Sequence, residues 1–174
     1  MAERSGGIQL ITRSYQFSRI LAATLLTMLL AATSVVGDNS PQKGKGLPTI
    51  KLTLGTATIE AVVANTDESK ISGLLGWSTI SDQEGMLLDF GADGTHAIHM
   101  QGMKFPIDAV WINSAEEITL IYESIQPNSG LVYPSMVPAA FCLELRAGFC
   151  KKFGVRVGQK VLFGAGKARW PESH

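Results

Sequence analysis

Three groups of side chains have types and spacing that could do chemistry. Asp108 follows Pro106 inside an otherwise apolar run, Ile107 to Ile112. Strand alternation places it on the face shared with Val110 and Ile112, where it is either exposed at an edge or buried and paired, an unpaired buried charge being very costly. It is therefore either a site carboxylate with a shifted pKa or the acceptor of backbone hydrogen bonds that fix the turn at Lys104-Phe105-Pro106. Glu144 poses the same choice on the strand face opposite Phe141, Leu143 and Leu145. Arg146 follows two residues later on its face, so a Glu-Arg surface pair is the plain expectation. Convergence of Asp108 and Glu144 on one cleft would instead suggest an acid/base pair or a sugar-binding site. The third group is His96-Ala97-Ile98-His99-Met100-Gln101-Gly102-Met103. Its two imidazoles and two thioethers suit copper, cuprous copper above all. Against that reading, His96 and His99 point to opposite faces of a strand. A polar rim of His99, Gln101 and Lys104 is the simpler assignment.

Other chemistries lack their residues. No GxSxG elbow supports a serine hydrolase, and there is no phosphate-binding loop or dinucleotide fingerprint. Trp77 and Trp111 could stack on a sugar, although Trp111 sits in an apolar strand and reads as core. The two cysteines, Cys142 and Cys150, form neither a CxxC motif nor a zinc set. They are either a disulfide, which an oxidising compartment permits, or two buried inert thiols, the default for such residues.

The elements that must position these groups follow from periodicity and punctuation. Ile50, Leu52 and Leu54, then Ile59, Ala61 and Val63, alternate with polar residues around Gly55-Thr56 and predict a β-hairpin. Thr66 is a helix cap, with Asp67 and Glu68 in the first turn and Ile71, Leu74 and Leu75 as the inward stripe. Strands are expected at 85–90, 95–100, 107–112, 118–125 and 140–145, with a loop from Gln126 to Pro138 and a short helix at 147–153 stopped by Gly154. Val161-Leu162-Phe163 closes the domain. The pattern is α+β, mainly β: an antiparallel sheet, curled or barrel-like, with one or two short helices.

The N-terminus is set apart from this domain. Arg4, Arg13 and Arg19 precede an apolar run from Ile20 to Ala32, and small residues follow up to Gly37. That layout predicts a signal peptide over residues 1–37, or an uncleaved anchor if the apolar run continues to Val36. The polar, Gly- and Pro-containing stretch 38–46 reads as a linker, 47–166 as one domain and 167–174 as a tail. The whole chain carries 15 Lys and Arg against 15 Asp and Glu; without Arg4, Arg13, Arg19 and Glu3, the balance from Asp38 onward is 12 against 14. A slightly acidic chain argues against a nucleic-acid partner. Membrane contact is expected only through residues 20–36, if these are retained. The basic residues from Arg146 onward could meet an anionic surface such as lipid headgroups or cell-wall polymer, but read first as a solvated face.

The order of Gly73-Leu74-Leu75, Gly85-Met86-Leu87-Leu88-Asp89-Phe90, Met100-Gln101-Gly102-Met103-Lys104-Phe105-Pro106-Ile107-Asp108 and Leu143-Glu144-Leu145-Arg146-Ala147-Gly148 resembles the DUF192 family of uncharacterised proteins. The similarity runs from about Ile50 to Phe163 and implies a small strand-rich fold, often carried by exported bacterial proteins, with no established activity. Many members have a basic residue where this chain has Ser72, another where it has Trp77, and Trp-Met-Lys-Asn where it has His99-Met100-Gln101-Gly102. The leading expectation is an exported binding or accessory domain of the cell envelope, periplasmic or secreted. It would hold a small ligand or envelope component through Asp108, Glu144, His99, Gln101 and Lys104, without a cofactor. One alternative is an envelope-glycan hydrolase or lyase using Asp108 and Glu144. The other is a periplasmic copper-binding protein using His96, His99, Met100 and Met103.

Overall fold

The computed structural model describes residues 43–165. The targeting segment at 1–37, the first part of the 38–46 linker and the tail at 167–174 lie outside the described residues. The end of the linker is folded onto the domain: Lys43 to Gly46 form a turn, and Lys43 Nζ sits 2.8 Å from the Glu84 carboxyl group.

The first hairpin forms as its alternation predicts. Strand β1 (Thr49–Leu54) pairs antiparallel with β2 (Ala57–Ala64) through a two-residue turn. Gly55 is required in that turn, because its φ is +56° and a side chain on it would strike the Phe153 carbonyl. Thr66 then caps helix α1 (Asp67–Ser72), its hydroxyl accepting from Ser69 N–H while Ser69 Oγ accepts from Thr66 N–H. The helix is shorter than its pattern suggested. It stops at Gly73, buries none of its residues, and leaves Ile71 73% exposed; only Leu74, beyond the helix, reaches the core.

The segment carrying α1 is a crossover, and this sets the one parallel pairing of the sheet. Strand β3 (Glu84–Gly94) runs parallel to β2, a departure from the all-antiparallel expectation. Strand β4 (Ala97–His99) follows, then β5 (Ile107–Ile112) and β6 (Ile118–Ile125), joined as an antiparallel pair. The stretch expected as loop contains β7 (Val132–Pro134), which pairs with β4 in a two-stranded ribbon. Tyr122 donates its hydroxyl hydrogen to the Pro134 carbonyl and ties that ribbon to β6. Strand β8 (Ala139–Arg146) lies between β3 and β5, followed by helix α2 (Phe149–Phe153) and β9 (Leu162–Phe163) on the edge of β1.

The seven-stranded order is β6-β5-β8-β3-β2-β1-β9. Its two edges approach one another. Before β9, the chain around Gly158 to Val161 exchanges backbone hydrogen bonds with Glu116 and Ile118 at the start of β6. The sheet is thus curled toward a barrel around an inner core that includes Leu52, Ile59, Val63, Leu87, Val110, Leu143 and Phe149.

The outer face of the sheet is also covered. Met86, Leu88, Ala109, Trp111 and Cys142 pack there beneath Leu74, Trp77, Ile98, Met100 and Met103. The central strands are therefore buried on both faces, which is why 107–112 reads as a nearly unbroken apolar run. Each fully buried aliphatic side chain contributes about 1.5 to 3 kcal/mol by leaving water.

This two-sided burial decides the cysteines. Cys142 packs in the outer cluster and Cys150 in the inner one, so the sheet separates them. Both are free thiols, and the disulfide left open by the sequence does not form. Burial pushes the pKa of each well up, helped at Cys142 by the Glu144 charge and at Cys150 by Asp108, which disfavours the reactive thiolate. No helix among the described residues is long and apolar enough to cross a membrane.

Candidate functional site

The two candidate carboxyl groups sit on adjacent strands, with Asp108 opposite Leu145 and Glu144 opposite Ala109. Because successive side chains alternate, this register sends Asp108 to the inner face and Glu144 to the outer one. They do not share a cleft, so the acid/base pair expected of an envelope-glycan hydrolase or lyase is not assembled.

Asp108 is completely buried, and its surroundings explain it structurally. Its Oδ1 accepts from Ser124 N–H at 2.8 Å and Gly148 N–H at 3.0 Å, and its Oδ2 accepts from Cys150 N–H at 2.9 Å. Ser124 has a φ of +52° and lies where the β5–β6 register slips by one residue, so its N–H is turned away from the ladder. Asp108 therefore fixes a β-bulge and the start of α2. The backbone-acceptor reading holds, but at these two places instead of the Lys104-Pro106 turn.

Glu144 is equally central and far less provided for. It is 7% exposed, between Met86 on β3 and Ala109 on β5, neither of which offers a polar side chain. Its Oε2 has no hydrogen-bond partner among the described residues. Burial alone pushes its carboxyl up to a pKa of about 7. The expected surface pair with Arg146 is absent, because Arg146 lies 60% exposed near Asp82.

Glu144 reaches the floor of a cleft of about 560 Å³ between the α1 segment and β4. Leu88 and Phe90 of β3 share that floor; Lys70, Ile71, Gly73, Leu74 and Leu75 form one wall, and His96 to His99 with Met103 form the other. Gly73 is the close neighbour of the carboxyl group: a Cβ built on it would lie 3.9 Å from Oε2. Its φ of +42° with ψ of −129° is a backbone state that other residues rarely adopt. Phe90 is held between charge and ring, with the His96 imidazole stacked at 4.0 Å and Lys70 Nζ 5.4 Å from its centroid. Lys70 is also 3.3 Å from the Asp67 carboxyl group, so its charge already has a partner.

Of the residues singled out by sequence, Glu144, His99, His96 and Met103 line this cleft, whereas Asp108, Gln101, Lys104 and Met100 do not. Met100 is wholly packed in the outer core, and His96 Nε2 is turned against Gly94. The copper set is thus divided between cleft and core. Among the described residues, no three His, Cys, Asp or Glu side chains gather closely enough to hold a metal ion. Sequence reasoning missed Lys70, Ile71, Leu75 and Phe90 as cleft residues. Their only common signal is that Ile71 and Leu75, four apart near a glycine, find no core to enter. Ser72 and His99, two positions at which the chain departs from the commoner DUF192 pattern, both line the cleft.

The fold has solved counterparts. A candidate transcription regulator from Sinorhizobium meliloti 1021 superposes with a TM-score of 0.64 at 28% identity, covering 67% of this chain and 95% of that one. A protein of unknown function from Novosphingobium aromaticivorans DSM 12444 gives a TM-score of 0.61 at 19% identity, covering 67% and 84%. The second likeness is one of fold alone. No curated protein matches the chain significantly. The model of DUF192, described as Uncharacterized ACR, matches residues 50–163, the whole span from β1 to β9. The chain belongs to the DUF192 family.

Proposed function

We propose that this is a small-ligand-binding domain of an exported protein, with the Glu144 cleft as its binding site. The observation that carries the reading is Glu144 itself: a carboxyl group buried to 7% exposure whose Oε2 has no partner among the described residues. Leaving a buried acceptor unsatisfied costs about 1 to 3 kcal/mol, and a charged one more, so such a group is rarely kept without a use. The cleft volume of about 560 Å³ falls in the range of small-molecule sites, and its walls combine an apolar majority with a few polar groups. The placement in the cell envelope rests on the sequence of residues 1–37, with periplasmic or secreted location as the expectation.

The role named for the Sinorhizobium protein is not carried over. From Asp38 onward the chain is slightly acidic, and Arg146, Lys152 and Lys160 lie beside Asp82 or Glu117. Such charges are partly neutralised and make a poor phosphate-binding surface.

Chemical-shift mapping of the full chain against simple sugars, amino acids, small amines and cell-wall fragments tests the reading. At least one class should move the amides of Gly73, Leu75, Phe90 and His99 together, and Glu144→Ala should abolish the response. Silence across all classes, or shifts confined to residues away from the cleft, would overturn it.

A further inference from the structure

The cleft also says what kind of molecule would complete it. From the charge distribution and the shape of its walls, we infer that its ligand is a small organic cation, a primary or secondary amine carrying an apolar body, with the ammonium group held by Glu144. This rests on the ligand-binding reading above and assigns its chemical class.

The charged or titratable groups facing Glu144 are few. On α1, Lys70 and Asp67 are 3.3 Å apart and answer one another. On the β4 side, His96 and His99 are the only titratable groups lining the cleft, and His96 is stacked face to face on Phe90 at 4.0 Å. On β8, Cys142 shares the outer face of Glu144, and its thiol is kept protonated by burial. The flanking strands contribute Met86 and Ala109. Among the described residues Glu144 is thus the one acidic group lining the cleft without a paired cation; its Oε2 and His96 Nε2 are the two buried polar atoms there without a partner, and His96 Nε2 is turned against Gly94.

An ammonium group supplies both deficits at once, a hydrogen-bond donor and a compensating charge. A hydroxyl supplies only the first, and a carboxylate adds repulsion with Glu144 and Asp67. Most of the remaining lining is apolar: Leu74, Leu88, Phe90, Ile98 and Met103 line the cleft, while Ile71 and Leu75 stand at the mouth, 73% and 36% exposed. Those two side chains gain cover only if the ligand itself is apolar beyond its cationic head.

Entry to Oε2, which is itself covered, requires the Gly73 turn to shift. That shift can be taken up on the N-terminal side of the turn, where α1 buries none of its residues, with the buried Leu74 as the fixed point. When the ammonium group docks on a protonated Glu144, the carboxyl proton leaves to the buffer and the ion pair remains, so charge and protons balance. Raised to about 7 by burial, Glu144 makes that release visible at mildly acidic pH.

The test uses three probes of one size on the full chain: benzylamine, benzyl alcohol and benzoate, followed by calorimetry and by amide shifts. Benzylamine should bind about tenfold more tightly than either of the others, and Glu144→Gln should erase that advantage. At about pH 6 its binding should release a large fraction of a proton, shrinking toward zero at about pH 8 where Glu144 is already ionised. Equal or tighter binding of the alcohol or the benzoate in the cleft would overturn the cation assignment and leave the ligand-binding reading standing. Undiminished preference for benzylamine in Glu144→Gln, or no proton release at about pH 6, would also overturn it. If none of the three moves cleft amides at millimolar concentration while another compound class does, the assignment alone fails; if no class does, both readings fail.

Discussion

Asp108 and Glu144 lie on neighbouring strands, one residue apart in register, at nearly the same depth, and on opposite faces of one sheet. On the inner face, Asp108 meets three backbone N–H groups that a β-bulge and the start of α2 cannot satisfy by themselves. On the outer face, Glu144 meets methionine, alanine and a glycine turn, and keeps an oxygen without a partner. The comparison teaches that burial of a carboxyl group does not mark a site. What separates a staple from a binding group is whether the fold supplies the donors.

The largest effect should come from the staple. Asp108→Ala leaves three buried N–H groups unpaired and should lower unfolding stability by about 3 to 5 kcal/mol in denaturant titration, with little selectivity for ligand. A loss below about 1 kcal/mol would show that the bulge and α2 hold without it.

Glu144 should behave in the opposite sense. Its folded pKa of about 7 exceeds the 4.5 of the free side chain, so the folded state holds the proton more tightly between those values. Stability from this group is therefore full below about pH 4.5, falls as pH rises to about 7, and then levels off, a drop on the order of 3 kcal/mol. Glu144→Gln, which cannot ionise, should be more stable than wild type by about 2 to 3 kcal/mol at pH 8, the gap closing in acid. A wild-type protein whose stability rises from pH 5 to 7, or a variant less stable at pH 8, would contradict that environment.

Smaller effects sharpen the contrast around Glu144. Gly73→Ala forces a φ of +42° onto a residue with a Cβ, and should cost about 1 to 2 kcal/mol while disturbing cleft shifts more than core ones. Arg146→Ala should change stability by less than about 0.5 kcal/mol and leave the Glu144 titration in place, since Arg146 is exposed and faces Asp82. A displaced Glu144 titration in that variant would restore the Glu-Arg pair that strand alternation suggested.

Much of the fold was legible because its signals are local. The Thr66 cap, the turn at Gly55-Thr56, and the apolar alternation of β1 and β2 each depend on a few adjacent residues. The β4–β7 ribbon was half hidden: Val132 to Pro134 lies in a stretch dense in Pro, Gly and Ser, and only its pairing with β4 makes it a strand. The length of α1 was overestimated because Ile71 completes a helical stripe on paper, whereas the chain turns at Gly73 before that stripe can reach the core. At the site, the sequence singled out Glu144 and His99 but grouped them with Asp108, Gln101 and Lys104. It had no means of joining Lys70, Phe90 and Leu75 to Glu144 across separations of 74, 54 and 69 residues.

What the sequence by itself determined is the family, the strand-rich class and the placing of Asp108 and Glu144 within strands, because motif order and period-two alternation are written in the chain. Only the tertiary structure decided which carboxyl is satisfied, that Cys142 and Cys150 stay apart, and that one cleft opens beside Glu144. The physical reason is that hydrogen-bond donors, counter-charges and covering side chains come from strands and turns distant in sequence. A one-residue difference in register sends a side chain to one environment or the other.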